Sequence, residues 1–160
     1  MTKTVIHLVA IVVLYALFYG LIYVMAVNAG GGQPLLQKAN VVASDGDGEK
    51  YREDFRKWTQ ILMGVSFAAT LVWYVSAEWS FRVAIPVAVS KRLIWFLWLA
   101  VTVLAAFAAE FWGPKASLNG HIPTLFYFLG GAGFYYLATA LFSPVNYKYT
   151  PPGAVFVRFI

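Results

Sequence analysis

Cysteine is missing altogether. Its absence excludes disulfides, thiolate metal sites, iron–sulfur ligation and thiol nucleophiles together, and carries no information on the redox compartment. Charge is almost as scarce. Only 12% of the 160 residues are Asp, Glu, Lys or Arg, and there are two histidines. No nucleotide-binding glycine loop, no HExxH pair and no serine set against an intramembrane histidine occurs, so the recognisable hydrolytic and phosphoryl-transfer chemistries have no footing.

What fills the chain instead is apolar and aromatic: 61% hydrophobic residues, 18% Phe, Trp and Tyr, and a mean hydropathy of +0.68. Val5 to Val27 passes without a formal charge. At about 1.5 Å per residue a helix of that length covers roughly 34 Å, enough for a hydrocarbon layer about 30 Å thick. Its apolar run is longer than a signal-peptide core, which predicts a retained signal-anchor helix. Three further stretches repeat the pattern, at about 58–81, 93–111 and 122–142. The expected fold is an all-α integral membrane protein with four transmembrane helices in an up-down bundle. Residues 1–142 then form one domain that includes a hydrophilic loop at 28–57, and 143–160 form an extended tail.

Tyr15, Tyr19 and Tyr23 recur every four residues and so share one helix face. Ala16 with Gly20, and Gly64 with Ala68, are small-xxx-small pairs of the kind that let membrane helices approach closely. Ser66 and Thr70 lie one turn apart on the second span. Gly130, Gly131 and Gly133 crowd one turn of the fourth, which predicts either the tightest helix contact or a broken helix at a binding site. Trp58, Trp73, Tyr74 and Trp79 suit the membrane interfaces.

The 28–57 loop carries five basic residues (Lys38, Lys50, Arg52, Arg56, Lys57) and five acidic ones (Asp45, Asp47, Glu49, Glu53, Asp54), so it is locally neutral. Its end, GEKYREDFRKW, reads as a short helix on the membrane surface. Asp45-Gly46-Asp47-Gly48 hints at a calcium loop, but an EF-hand register would put Ala43 at the first ligand position, so a turn is expected. Past Phe142 the Pro151-Pro152 pair rules out a continuous helix, and the tail is expected to be extended and docked on a partner or on the bundle.

Chemistry is thin. Glu78 and Glu110 are the only formal charges within the four stretches, both near span ends. A pump or voltage sensor ordinarily carries a charge deeper, at a cost of at least about 2.5 kcal/mol. His7 and His121 open the first and fourth spans, at opposite faces in a four-span topology, so they do not jointly ligate haem. Glu110, Lys115 and His121 gather at one face as an acid, a charge and a base, but lack a nucleophile. No cofactor follows from the sequence. The net charge of +5 fits cations flanking membrane spans rather than nucleic-acid contact.

The expected partners are membrane lipids and other membrane-protein subunits. The expected role is a non-catalytic accessory or scaffold subunit of an inner-membrane complex, electron-transferring, oxidising or secretory. A small oligomeric transporter or channel, lined by the tyrosine stripe and the glycines, and a lipid-acting enzyme at the Glu110 end are the alternatives. Flanking Lys and Arg tie at six on each side; Lys3 ahead of the first span tips the expected orientation to both termini in the cytoplasm of a bacterium.

Overall fold

The computed structural model describes residues 2–26, 46–82, 88–113, 121–143 and 151–157. They form α1 (Thr2–Ala26), α2 (Gly46–Arg82), α3 (Ala88–Trp112), α4 (His121–Phe128), a π turn (Leu129–Gly133), α5 (Phe134–Leu141) and the one-turn α6 (Ala154–Val157), with no strand among the described residues. Four helical stretches are long and apolar enough to cross a membrane: Lys3–Ile22, Tyr51–Glu78, Arg92–Trp112 and Thr124–Leu141, the last running through α4, the π turn and α5. The molecule is an all-helical, multi-pass membrane protein.

α2 departs most from expectation. At 37 residues it covers roughly 55 Å, so its first turns project past the hydrocarbon layer. Residues 46–57 are its continuous beginning rather than a separate surface helix, and Gly46–Gly48 open it instead of forming a turn. The reason is a stripe that does not stop at the membrane. Tyr51, Phe55 and Leu62, spaced by four and seven residues, face one way and are all buried, with Phe55 fully so. They pack with Ala106 and Ala109 of α3 and Tyr127 of α4. Phe55 stacks on Tyr127 at 5.4 Å and meets Phe126 edge-on at 6.2 Å.

Residues 88–92, expected in a connection, belong to α3. Residues 27–45, 83–87, 114–120 with Lys115, 144–150 and 158–160 lie outside the described residues.

The larger core gathers Ile11 and Tyr15 of α1, Met63, Ala69, Trp73, Tyr74 and Ala77 of α2, Trp95 of α3, and Phe134, Tyr135 and Ala138 of α5. Trp73 and Tyr74, expected at an interface, are instead buried in it, 1% and 2% exposed. In a bilayer the outward faces are left to aliphatic and phenyl groups such as Val9, Val13, Leu17, Leu97 and Leu104. Tyr15, Tyr74, Trp95 and Tyr135, whose rings carry a polar atom, turn inward to hydrogen-bond partners.

The tail is not extended where it is described. Pro151 and Pro152 form a turn that Gly153 completes at φ +83°, and a single helical turn follows. Ala154 N–H donates to Pro151 O at 3.1 Å and Phe156 N–H to Gly153 O at 3.0 Å. The prolines precede this turn, where their missing N–H groups are not needed. The Tyr136 hydroxyl donates to Pro152 O, and Pro151 and Ala154 are buried, so this part of the tail seats on α5.

Candidate functional site: hydroxyls gathered on a π turn

Tyr15 projects from α1 into the bundle. Its hydroxyl lies 2.8 Å from Ser66 Oγ and 2.7 Å from Thr70 Oγ1. Ser66 Oγ in turn donates to the carbonyl of Gly131 at 3.0 Å. Each hydroxyl owns one hydrogen. Ser66 has spent its own on Gly131, so Tyr15 donates to Ser66 and Thr70 donates to Tyr15. The chain Thr70, Tyr15, Ser66, Gly131 therefore runs in a single direction across three helical segments. All three side chains are buried, Ser66 completely.

The chain ends on a π turn. The N–H of Phe134 is shared between the carbonyls of Leu129 and Gly131, five and three residues back, and skips the α-helical acceptor between them. Gly131 also fixes the spacing to α3, since a Cβ there would stand 3.2 Å from the carbonyl of Thr102 and 3.8 Å from Ala106 Cβ. Gly130 is buried near Met63 Sδ, and Gly133 faces outward with only its own helix nearby.

A second polar set joins α3 to α5. Trp95 Nε1–H donates to Thr139 Oγ1 at 2.9 Å, Thr139 Oγ1–H is shared by the carbonyls of Tyr135 and Tyr136, and the Tyr135 hydroxyl donates to Trp95 O at 3.1 Å. A third lies where α1 begins: Thr4 Oγ1 donates to Glu78 at 3.1 Å, and His7 Nδ1 and the Tyr74 hydroxyl share a hydrogen bond of 3.0 Å. With Tyr19 accepting from Gln60 Nε2 at 2.8 Å, partners on α2 fall in number as those on α1 rise, so the two helices run antiparallel.

The opposite end differs. Tyr51, Thr59 and Tyr127 hold buried hydroxyls with no hydrogen-bond partner among the described residues; the indole N–H of Trp73, beside Tyr74 in the larger core, likewise has none among them. Glu110 is exposed there and accepts from Thr124 Oγ1 at 2.7 Å.

The sequence-derived candidates therefore separate. Tyr15, Tyr19 and Gly131 are drawn together through α2. His7 and Glu110 belong to opposite ends of the bundle. The side chains of Tyr23 and His121 lie outside the described residues, as does Lys115, so Glu110 is the one member of that trio whose side chain is placed. Ala16, Gly64 and Ala68 face outward, and nothing among the described residues comes within 4 Å of a Cβ built at Gly20 or Gly64. Among the described residues no group of three His, Asp or Glu stands close enough to hold a metal. Sequence reasoning missed Trp95, Tyr135 and Thr139, although the last two lie one turn apart as Ser66 and Thr70 do. It also missed Tyr51 and Phe55, whose four-residue spacing continuous with Leu62 was a usable signal.

The Thr70–Tyr15–Ser66–Gly131 chain and the Trp95–Thr139–Tyr135 set consist of neutral groups that satisfy one another and tie α1, α2, α3 and α5 in register. No protein-family model matches the chain, and no curated protein or solved structure is similar to it.

Proposed function

We propose that the protein is a non-catalytic accessory or scaffold subunit that packs its helices against other membrane-spanning subunits. One observation carries this. The small residues Ala16, Gly20, Gly64 and Ala68, which in a bilayer favour close helix approach, are not used inside the bundle but turned out of it. On α2 they sit in a stripe with Ile61, Val72 and Val75, all exposed, that is smooth, uncharged and shallow enough for a neighbouring helix. The glycines used internally, Gly130 and Gly131, show the same device at work between α2, α3 and the π turn.

The spans are taken to cross in up-down order, with both termini on the cytoplasmic face of a bacterial inner membrane. Such a subunit would sit in an electron-transfer, oxidising or secretion assembly, in contact with lipids and partner subunits. The alternative of a small oligomeric transporter draws on the hydroxyl chain beside a π turn, a feature that often marks functional positions.

Purification in mild detergent with identification of co-eluting chains separates the two. Stable partner subunits, lost when Gly64 and Ala68 are both replaced by Leu, support the subunit role. A lone homo-oligomer that moves solute in liposomes supports the transporter. A reporter fused at the C-terminus tests the orientation.

A further inference from the structure

We propose that the π turn at Leu129–Gly133 is a two-state catch that couples the seating of α1 to the register of α5. Three observations converge on it. The first is the amide of Phe134, bonded both five and three residues back. It stands between two hydrogen-bond registers, and the acceptor of the ordinary α-helical one, Gly130 O, lies between those it uses. Gly130, Gly131 and Gly133 leave that turn without side chains that would resist a change of backbone angle.

The second is the clamp. Ser66 Oγ–H holds the Gly131 carbonyl, and Ser66 itself receives the Tyr15 hydrogen from α1. The carbonyl that would move when the turn rewinds is thus the one to which α1 is tied. The third is Phe134, whose ring stacks on Phe18 of α1 at 3.8 Å and takes the edge of Tyr15 at 4.7 Å. The residue at the register break is also the one against which α1 rests.

A π turn holds one residue more than the α-helix it interrupts. Removing it by rewinding turns the following segment by about 100° relative to the preceding one. In the latched state Phe134 N–H is shared, Gly131 O is held by Ser66, and α1 lies on Phe134. In the released state Phe134 N–H bonds Gly130 O, Gly131 O leaves Ser66, and the Phe134 ring swings off Phe18. α1 then keeps only its ties to α2, and Phe18 is exposed to a neighbouring span. Any ligand or subunit that binds one state better shifts the pair.

Hydrogen exchange of the full chain in nanodiscs, read on peptides covering 127–137 and 8–20, tests this. Ser66→Ala is expected to raise exchange in both segments by roughly five- to tenfold, the factor for one net hydrogen bond, while the 50–58 segment, packed on Tyr127 ahead of the turn, stays unchanged. Ser66→Thr, which keeps a donor, restores slow exchange. Tyr15→Phe leaves the Ser66–Gly131 bond in place but weakens the seating of α1, and since coupling is reciprocal it is expected to loosen 127–137 along with 8–20, by less than Ser66→Ala does. Deleting Ala132, which closes the turn to α-helical spacing, is expected to abolish the effect of Ser66→Ala on both segments. An equal effect of Ser66→Ala with and without that deletion, or faster exchange spread uniformly over all four spans, overturns the catch. If Ser66→Ala does not fold, Tyr15→Phe alone decides. Loosening of 8–20 with 127–137 unchanged, or of neither, is then the overturning result.

Discussion

The rings of Phe18 and Phe134 lie face to face, 3.8 Å between centroids and 9° between planes. They come from opposite ends of the chain's apolar sequence, yet they form one of the few places where α1 touches anything besides α2. α1 is otherwise the least enclosed span, with far fewer of its residues buried than α2 has. Its attachment is therefore a matter of a few named contacts, and each can be removed singly.

Gly131 and Gly64 predict opposite responses to the same substitution. Gly131→Ala drives a Cβ to 3.2 Å from Thr102 O, backbone that cannot swing aside, and is expected to cost about 1–3 kcal/mol. Gly64→Ala meets open space and is expected to leave stability unchanged or raise it by up to about 1 kcal/mol. Denaturant unfolding of the two variants in micelles compares them directly. An equal loss from both would refute the inward and outward assignments.

Phenol hydroxyls give a second contrast. Those of Tyr51 and Tyr127 are buried without a partner among the described residues, and an unmet buried polar group costs about 1–3 kcal/mol. Tyr127→Phe and Tyr51→Phe are expected to be neutral or stabilising by about 1 kcal/mol. Tyr135→Phe, which breaks the bond to Trp95 O, is expected to destabilise by about 0.6–1.7 kcal/mol, the range for interhelical hydrogen bonds in a bilayer. The midpoint of thermal unfolding, ranked across the three, is the measurement.

At the start of α1, His7 and Tyr74 share a 3.0 Å hydrogen bond beside the Thr4–Glu78 pair. A double-mutant cycle with His7→Ala and Tyr74→Phe is expected to return a coupling of about 0.6–1.7 kcal/mol. A cycle pairing His7→Ala with Tyr135→Phe, which the structure places in no shared contact, should return a value near zero.

The tail turns on one glycine. Gly153 sits at φ +83°, and a Cβ there would lie 3.1 Å from the Tyr136 hydroxyl. Gly153→Ala is therefore expected to unseat 151–157, seen as faster amide exchange at Ala154 and Phe156, whose N–H groups are bonded in the seated turn. Tyr136→Phe should produce a milder version, losing only the bond to Pro152.

The four apolar runs were legible in the sequence, because a bilayer leaves helices almost no alternative, while the glycines at 130–133 marked either a close contact or a break without deciding between them. The site was only half legible. Ser66 and Thr70 on α2 and the Tyr15–Tyr19 spacing on α1 could be noticed separately, but nothing in either stretch says that they meet. Equally, Gly64 and Ala68 carry the same small-residue pattern as the internal glycines and face the other way, since the pattern states that a helix can come close without stating whose.

Sequence alone thus determined what is paid to leave water: long uncharged runs, no thiol chemistry, charges kept to the ends. The tertiary structure decided where each polar atom within those runs finds its partner. That choice depends on rotation about the helix axis and on depth, and one extra residue in the turn at Leu129–Gly133 changes both for everything after it. Phe134 lies on Phe18, and Tyr135 on Trp95, because of that added residue, and no count of apolar residues contains the angle.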